Sequence, residues 1–359
     1  MKTSTAAERE QYLKFLQHLL CDPRVSAVTP KNDEMAVAAL DDVMRVQVKG
    51  DQSKLRKFVL TNTHMELSST GQFFTFDKYV RREAEKVLCA LGGETRRQIE
   101  TRVTFGSLPT SELNGMCIRT PDQGYLVIIN VGNFALCEIV ANVVSGLTMF
   151  SSGEGNSTAK FTVEEAAEFL LDVSRVFPAF PVGLFDRYRR FRTVLGDQEA
   201  DPGLYRSHFS PALGDGLMNF VIAHEIAHFV RGHIGSSPLK ILSISTSGAV
   251  QTNVEELEFQ HSQEFEADVL GAALLVIGAE NSGGALDGFA AMVATQVFFL
   301  MLELMEHVKG IKPLTHPAAY ERRKNLLREL DYTRDALEFV EVFEVGLFAS
   351  AKSMLRGKA

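Results

Sequence analysis

The run FVIAHEIAHFV, from Phe220 to Val230, sets three ionisable side chains into an otherwise apolar stretch. Such a surround predicts a buried helix, and polar groups buried on it must be hydrogen-bonded or bound to an ion. His224 and His228 are four positions apart, so they stand one above the other on one helix face and can address a single metal ion. Glu225 projects about 100° further round the axis, beside that ion and within reach of a water. Two neutral imidazoles suit Zn²⁺, which lowers the pKa of a bound water to about 7, and a neighbouring carboxylate can take the proton. These are the parts of metal-assisted amide hydrolysis. The competing reading is a core helix whose histidines and glutamate bond to other buried groups.

A third ligand discriminates between the two. The extended pattern HExxHxxGxxH needs glycine at 231 and histidine at 234, where the chain has Arg231 and Ile234. His233, on a continuing helix, points about 140° away from His228, as a helix-end residue, an outer partner or an exposed side chain. The stretch HSQEFEADVLGAALL, from residue 261, is more informative. Glu264 and Asp268 share a helix face. Glu264 can give an oxygen to the metal, and Asp268 can accept the second N–H of a ligand histidine. His261, three residues earlier on that face, is a rival ligand. Glu266 falls off the face and reads as a surface charge. Structural zinc sites are usually closed by four protein ligands, and this set offers three, with His261 as a weaker fourth.

HEIAHFVRGH, EFEADVLGA and THPAAYERRKNLL, in this order over about residues 217–329, resemble the M48-type gluzincin metallopeptidases and their pattern HExxH…E-[FY]-x-A-D…HPxxxxR. The resemblance implies a zincin-like catalytic domain that hydrolyses peptide bonds. It implies His224, His228 and Glu264 as zinc ligands, Glu225 as general base, and Asp268 as the aspartate behind a ligand histidine. It also places His316 and Arg322 near the substrate cleft, where either could stabilise an oxyanion. For His316 the alternative is a helix N-terminal residue fixed by Pro317. A second functional class is a zincin-fold regulatory or peptide-binding module with weak catalysis. The intact Glu225 argues against it.

The formal charge of −8 and a pI near 5.7 give no global attraction for nucleic acid. The densest basic run, RYRRFR at 187–192, reads as a solvated face. Four scattered cysteines without a CxxC pair point to a reducing compartment, hence the cytoplasm, and away from cysteine metal sites. Glu8 and Glu10 fall where a secretion signal needs its apolar run. The apolar runs 126–150 and 288–302 read as core rather than membrane spans. The first carries Asn130, Asn133, Glu138 and Asn142, and the second is short of the ~20 residues a span needs. The expected partner is a protein or peptide substrate.

The expected fold is α+β and predominantly helical, with one small sheet. Residues 1–100 form a mixed N-terminal region and 101–359 the zincin-like domain. Helices are expected over 6–20, 77–91, 135–150, 255–277, 286–308, 317–330 and 333–355. A further one, carrying HEIAH, should begin after Pro211 or Gly216. Thr162 and Glu165 form a capping box for another. Short strands are expected at 57–60 and 72–76. GYLVIINVG, 124–132, reads as a buried strand with an edge that could pair with a peptide. Residues 151–158 read as a loop, and 234–253 as a connection or a lid.

Overall fold

The computed structural model describes residues 6–20, 66–67, 74–108, 115–120, 124–130, 132–134, 136–137, 140–141, 204–235, 239–245, 251–257, 259–283, 285–309, 316–341 and 344. The expected strand at 57–60, the loop at 151–158, the capping box at Thr162 and Glu165, and RYRRFR lie outside them. The elements are α1 (Ala6–Leu20), β1 (Glu66–Leu67), β2 (Phe74–Thr75), α2 (Asp77–Leu88), α3 (Gly93–Arg102), β3 (Val103–Leu108), β4 (Gly115–Arg119) and β5 (Tyr125–Asn130). They continue with α4 (Leu204–Val230), a 3₁₀ turn (His233–Gly235), β6 (Leu239–Ser245), β7 (Gln251–Leu257), α5 (His261–Gly283), α6 (Ala285–Lys309) and α7 (Ala319–Glu329). The chain is a predominantly helical α+β protein.

The larger sheet has five strands among the described residues, in the order β3-β5-β4-β7-β6, with β3 and β5 parallel and the other pairs antiparallel. Period-two alternation sorts its side chains between two layers. Leu126 and Ile128 of β5 join Leu108, Met116 and Ile118 under Leu13 and Leu16 of α1. Tyr125, Val127 and Ile129 of the same strand face the main core, with Val87 of α2 and Leu217 and Val221 of α4. Each large apolar side chain buried there contributes about 1.5–3 kcal/mol.

Three expectations are corrected. β5 lies between β3 and β4, hydrogen-bonded on both sides, so the GYLVIIN strand offers no edge to a peptide. Residues 234–253 are not a mere connection: they hold β6 and the start of β7, which pair antiparallel, and the helix expected from 255 begins at His261. The alternation of these strands, broken by serines, is a weak signal. α4 starts at Leu204 and runs through both Pro211 and Gly216. Pro211 removes one backbone donor and crowds the carbonyl one turn before it, but the helix continues through it. Gly216 marks a crossing rather than a start: a Cβ there would stand 2.9 Å from Ala294 Cβ of α6.

α6 is long and apolar enough to cross a membrane by length and composition, but 72% of its apolar window, Asp287–Glu306, is buried within the protein. Phe298 and Phe299 of α6 meet Phe220 of α4 edge-on, each at 5.4 Å between ring centroids. α4, α5 and α6 thus form the packed helical layer that holds the site.

Candidate metal centre

The HEIAH helix behaves as its spacing predicts. His224 and His228 lie on one face of α4, and their Nε2 atoms are 3.1 Å apart. Glu264 comes from the first turn of α5, with Oε2 3.5 Å from His224 Nε2 and Oε1 3.6 Å from His228 Nε2. The three side chains are buried, and their donor atoms lie within 4.8 Å of one another. Ligands of a tetrahedral zinc ion, at about 2.0–2.2 Å from it, stand about 3.3 Å apart. The triad has that spacing. Neither oxygen of Glu264 makes a well-formed hydrogen bond among the described residues, although it is almost wholly buried. A cation between the three side chains would satisfy both oxygens, so the residues fit a metal ion.

Partners behind the triad fix it. Asp268, one turn after Glu264, brings Oδ1 to 2.9 Å from His224 Nδ1. Arg322 of α7 donates to both oxygens of Asp268, at 2.7 and 2.6 Å. Its Nη2 is 3.4 Å from Glu264 Oε2, and its guanidinium lies 4.9 Å from the centroid of the Phe299 ring. Arg322 is buried, so its charge is compensated within this network. His316, with a half-exposed side chain, places Nδ1 2.9 Å from Glu264 Oε2. His261 sits exposed at the start of α5 and is not part of the cluster of candidate ligands.

Electrostatics follow the geometry. Burial disfavours a charged His224, yet Asp268 and Glu264 outweigh it and raise its pKa to about 10. Burial, with the nearby His224, pushes His228 well below its usual value. Burial works against a charged Glu264 too, but His224, His316 and Arg322 overcome it and hold the carboxyl far below the usual range. The site therefore favours an ionised carboxylate, as a metal ligand must be.

Glu225 is buried next to the triad at the start of β4. A Cβ on Gly115 would come within 2.9 Å of Glu225 Oε1, so the strand's first residue must be small for the carboxylate to sit there. Gly271 of α5 has a similar role on the opposite side: its Cβ would meet His224 Cα and N at 2.9 Å. Sequence reasoning misses both glycines, because a close approach between elements distant in sequence leaves no local signal.

Of the three places open to His233, the structure gives it that of an outer partner at the helix end and not that of an exposed side chain. α4 ends at Val230, and Gly232 adopts φ +73°, the left-handed conformation that favours glycine at a helix C-terminus. The chain reverses, and His233 is buried with Nδ1 3.0 Å from His228 Nδ1. Its Nε2 is 3.5 Å from Oε2 of Glu266, which stays an exposed surface charge as expected and also faces this imidazole. The angle of about 140° holds only for a continuing helix. The Arg-Gly-His sequence is the signal against continuation.

Residues 216–343 match the family described as Peptidase U49. No curated protein and no solved structure matches the chain. The matched span includes both histidines of HEIAH, Glu225, Glu264, Asp268, His316 and Arg322. It points to a metallopeptidase-type family, and within it His224, His228 and Glu264 form a possible metal site.

Proposed function

We propose that this protein is a zinc-dependent endopeptidase of the gluzincin type, related to the M48 group by its three motifs. The observation that carries the reading is the convergence of His224 Nε2, His228 Nε2 and the Glu264 carboxylate at 3.1–3.6 Å, with Glu225 beside them. Three protein ligands leave a fourth position open, as catalytic zinc sites do. When bound, zinc supplies a Lewis acid that polarises a carbonyl and acidifies water.

The chain's own groups would do the rest. Glu225 accepts a proton from the attacking water and delivers it to the leaving amine. Asp268 accepts from His224 Nδ1 and so aims the lone pair of Nε2 at the centre. Arg322, bound through two hydrogen bonds to Asp268, orients that carboxylate rather than the substrate. The exposed edge of His316 is then the group available to steady an oxyanion. The substrate is a protein or peptide, and four scattered cysteines without a CxxC pair agree with a cytoplasmic setting.

The test is metal analysis with a peptide-library digest. Wild type should carry one zinc and cleave peptides, Glu264→Ala should lose the metal, and Glu225→Gln should keep it while losing about 10²–10⁴ in rate. Full activity of Glu225→Gln, or equal zinc in Glu264→Ala and wild type, refutes the reading.

A further inference from the structure

His224 and His228 are held from behind by different chemistry. His224 faces the carboxylate of Asp268. His228 faces an imidazole, with 3.0 Å between its Nδ1 and that of His233. Two ring nitrogens at that distance share one proton: one donates and the other accepts. Which one donates follows from the triad. His228 directs Nε2 at His224 and Glu264, so with a metal there its proton resides on Nδ1. His233 Nδ1 must then be the acceptor. The proton of a neutral His233 is left on Nε2, which faces Glu266 Oε2 at 3.5 Å.

The surroundings leave little alternative. His228 has no exposed surface, so bulk water cannot replace His233 as the acceptor. Phe259 stacks on the His228 ring at 3.5 Å between centroids and 13° between planes, which fixes the plane of the ring. Gly232, at φ +73°, supplies the reversal that brings His233 back. A neutral acceptor also suits the charge balance. Asp268 already adds an anion behind the centre, paired with Arg322.

We propose that His233 is a positioning residue of the metal centre, accepting from His228 Nδ1 so that Nε2 is presented to the ion, and is itself oriented by Glu266. This rests on the metal-centre reading, so the experiment must separate the two. Zinc affinity of the full chain is measured by chelator competition for wild type, Glu264→Ala, His233→Leu and His233→Asn. Leucine keeps bulk without an acceptor, and it should weaken zinc binding about 10–100-fold. Asparagine sets an amide oxygen near the position of Nδ1 and should restore most of that loss. Nitrogen-15 spectra of zinc-loaded wild type should show His228 protonated at Nδ1, a readout that needs no variant to fold.

Wild-type affinity in His233→Leu overturns the proposal. So does an equal loss in both His233 variants, or a His228 Nδ1 without a proton. If wild type binds zinc and Glu264→Ala does not, those outcomes remove His233 alone and leave the metal centre standing. If wild type binds no zinc, both fall.

Discussion

Gly271→Ala tests the close contact between α4 and α5, the helices that carry the candidate metal site. Glu264, Asp268 and Gly271 recur at i, i+4 and i+7 and share one face of α5. The first two face His224 and His228. The third lies against α4, where an added methyl would stand 2.9 Å from His224 Cα and N and 3.1 Å from Ala223 C. These are backbone atoms and cannot rotate away. Ordinary contact begins at 3.4 Å, so the helices must separate by about half an ångström, and overpacking of this kind costs about 1–3 kcal/mol. Metal–ligand distances tolerate only about 0.2 Å, so zinc binding should weaken by at least about tenfold, as with other supporting residues. Gly214→Ala on α4 is the control. Its methyl would meet only Ala141 Cβ, at 3.5 Å, and the gain in helix propensity is up to about 1 kcal/mol. Urea unfolding of the metal-free proteins and chelator competition for zinc read the two effects. If Gly271→Ala is as stable as wild type and binds zinc equally well, the close-contact argument is wrong.

Three further outcomes are expected. Arg322→Met leaves the buried Asp268 without its cation and should cost about 3–5 kcal/mol of stability in urea unfolding; a change below about 1 kcal/mol, the size expected of an exposed pair, contradicts the buried pairing. Stripping the metal with a chelator should lower the melting temperature, by the equivalent of about 2.7 kcal/mol when free zinc had stood at about a hundred times its Kd; an unchanged melting curve contradicts zinc binding to the folded state. Asp215→Asn probes a carboxyl whose pKa is raised by burial and then by the charge of Glu83, while Tyr79 donates to it at 2.7 Å. A folded pKa above the unfolded one gives stability below about pH 4 that is lost as pH rises through the folded value. The melting temperature of the variant relative to wild type should therefore rise from about pH 4 towards neutrality, and a difference that stays flat or falls removes the argument.

The parts of the site readable from sequence are those whose geometry is local. An α-helix fixes where residues four apart point, so HEIAH places its two histidines on one face, and Glu264 and Asp268 share a face by the same rule. The second helix could not be docked onto the first by periodicity alone. The family resemblance and the polar cost of burial chose that pairing, and in the structure the donor atoms of the two helices converge at 3.1–3.6 Å.

The remainder depended on the path of the chain between elements. One glycine at φ +73° turned His233 back under His228. β4 and β7 meet at Ile118↔Glu256, far apart in sequence, and completed a sheet that weak alternation in 239–245 had hidden. Gly115 and Gly271 matter only because Glu225 and His224 lie against them. Sequence by itself determined the face that each helix presents, because helical phase is set by bonds a few residues apart. Asp268 was legible behind one histidine, but tertiary structure decided that His233 stands behind the other and Arg322 behind Asp268, because those contacts depend on a chain reversal and on packing between elements.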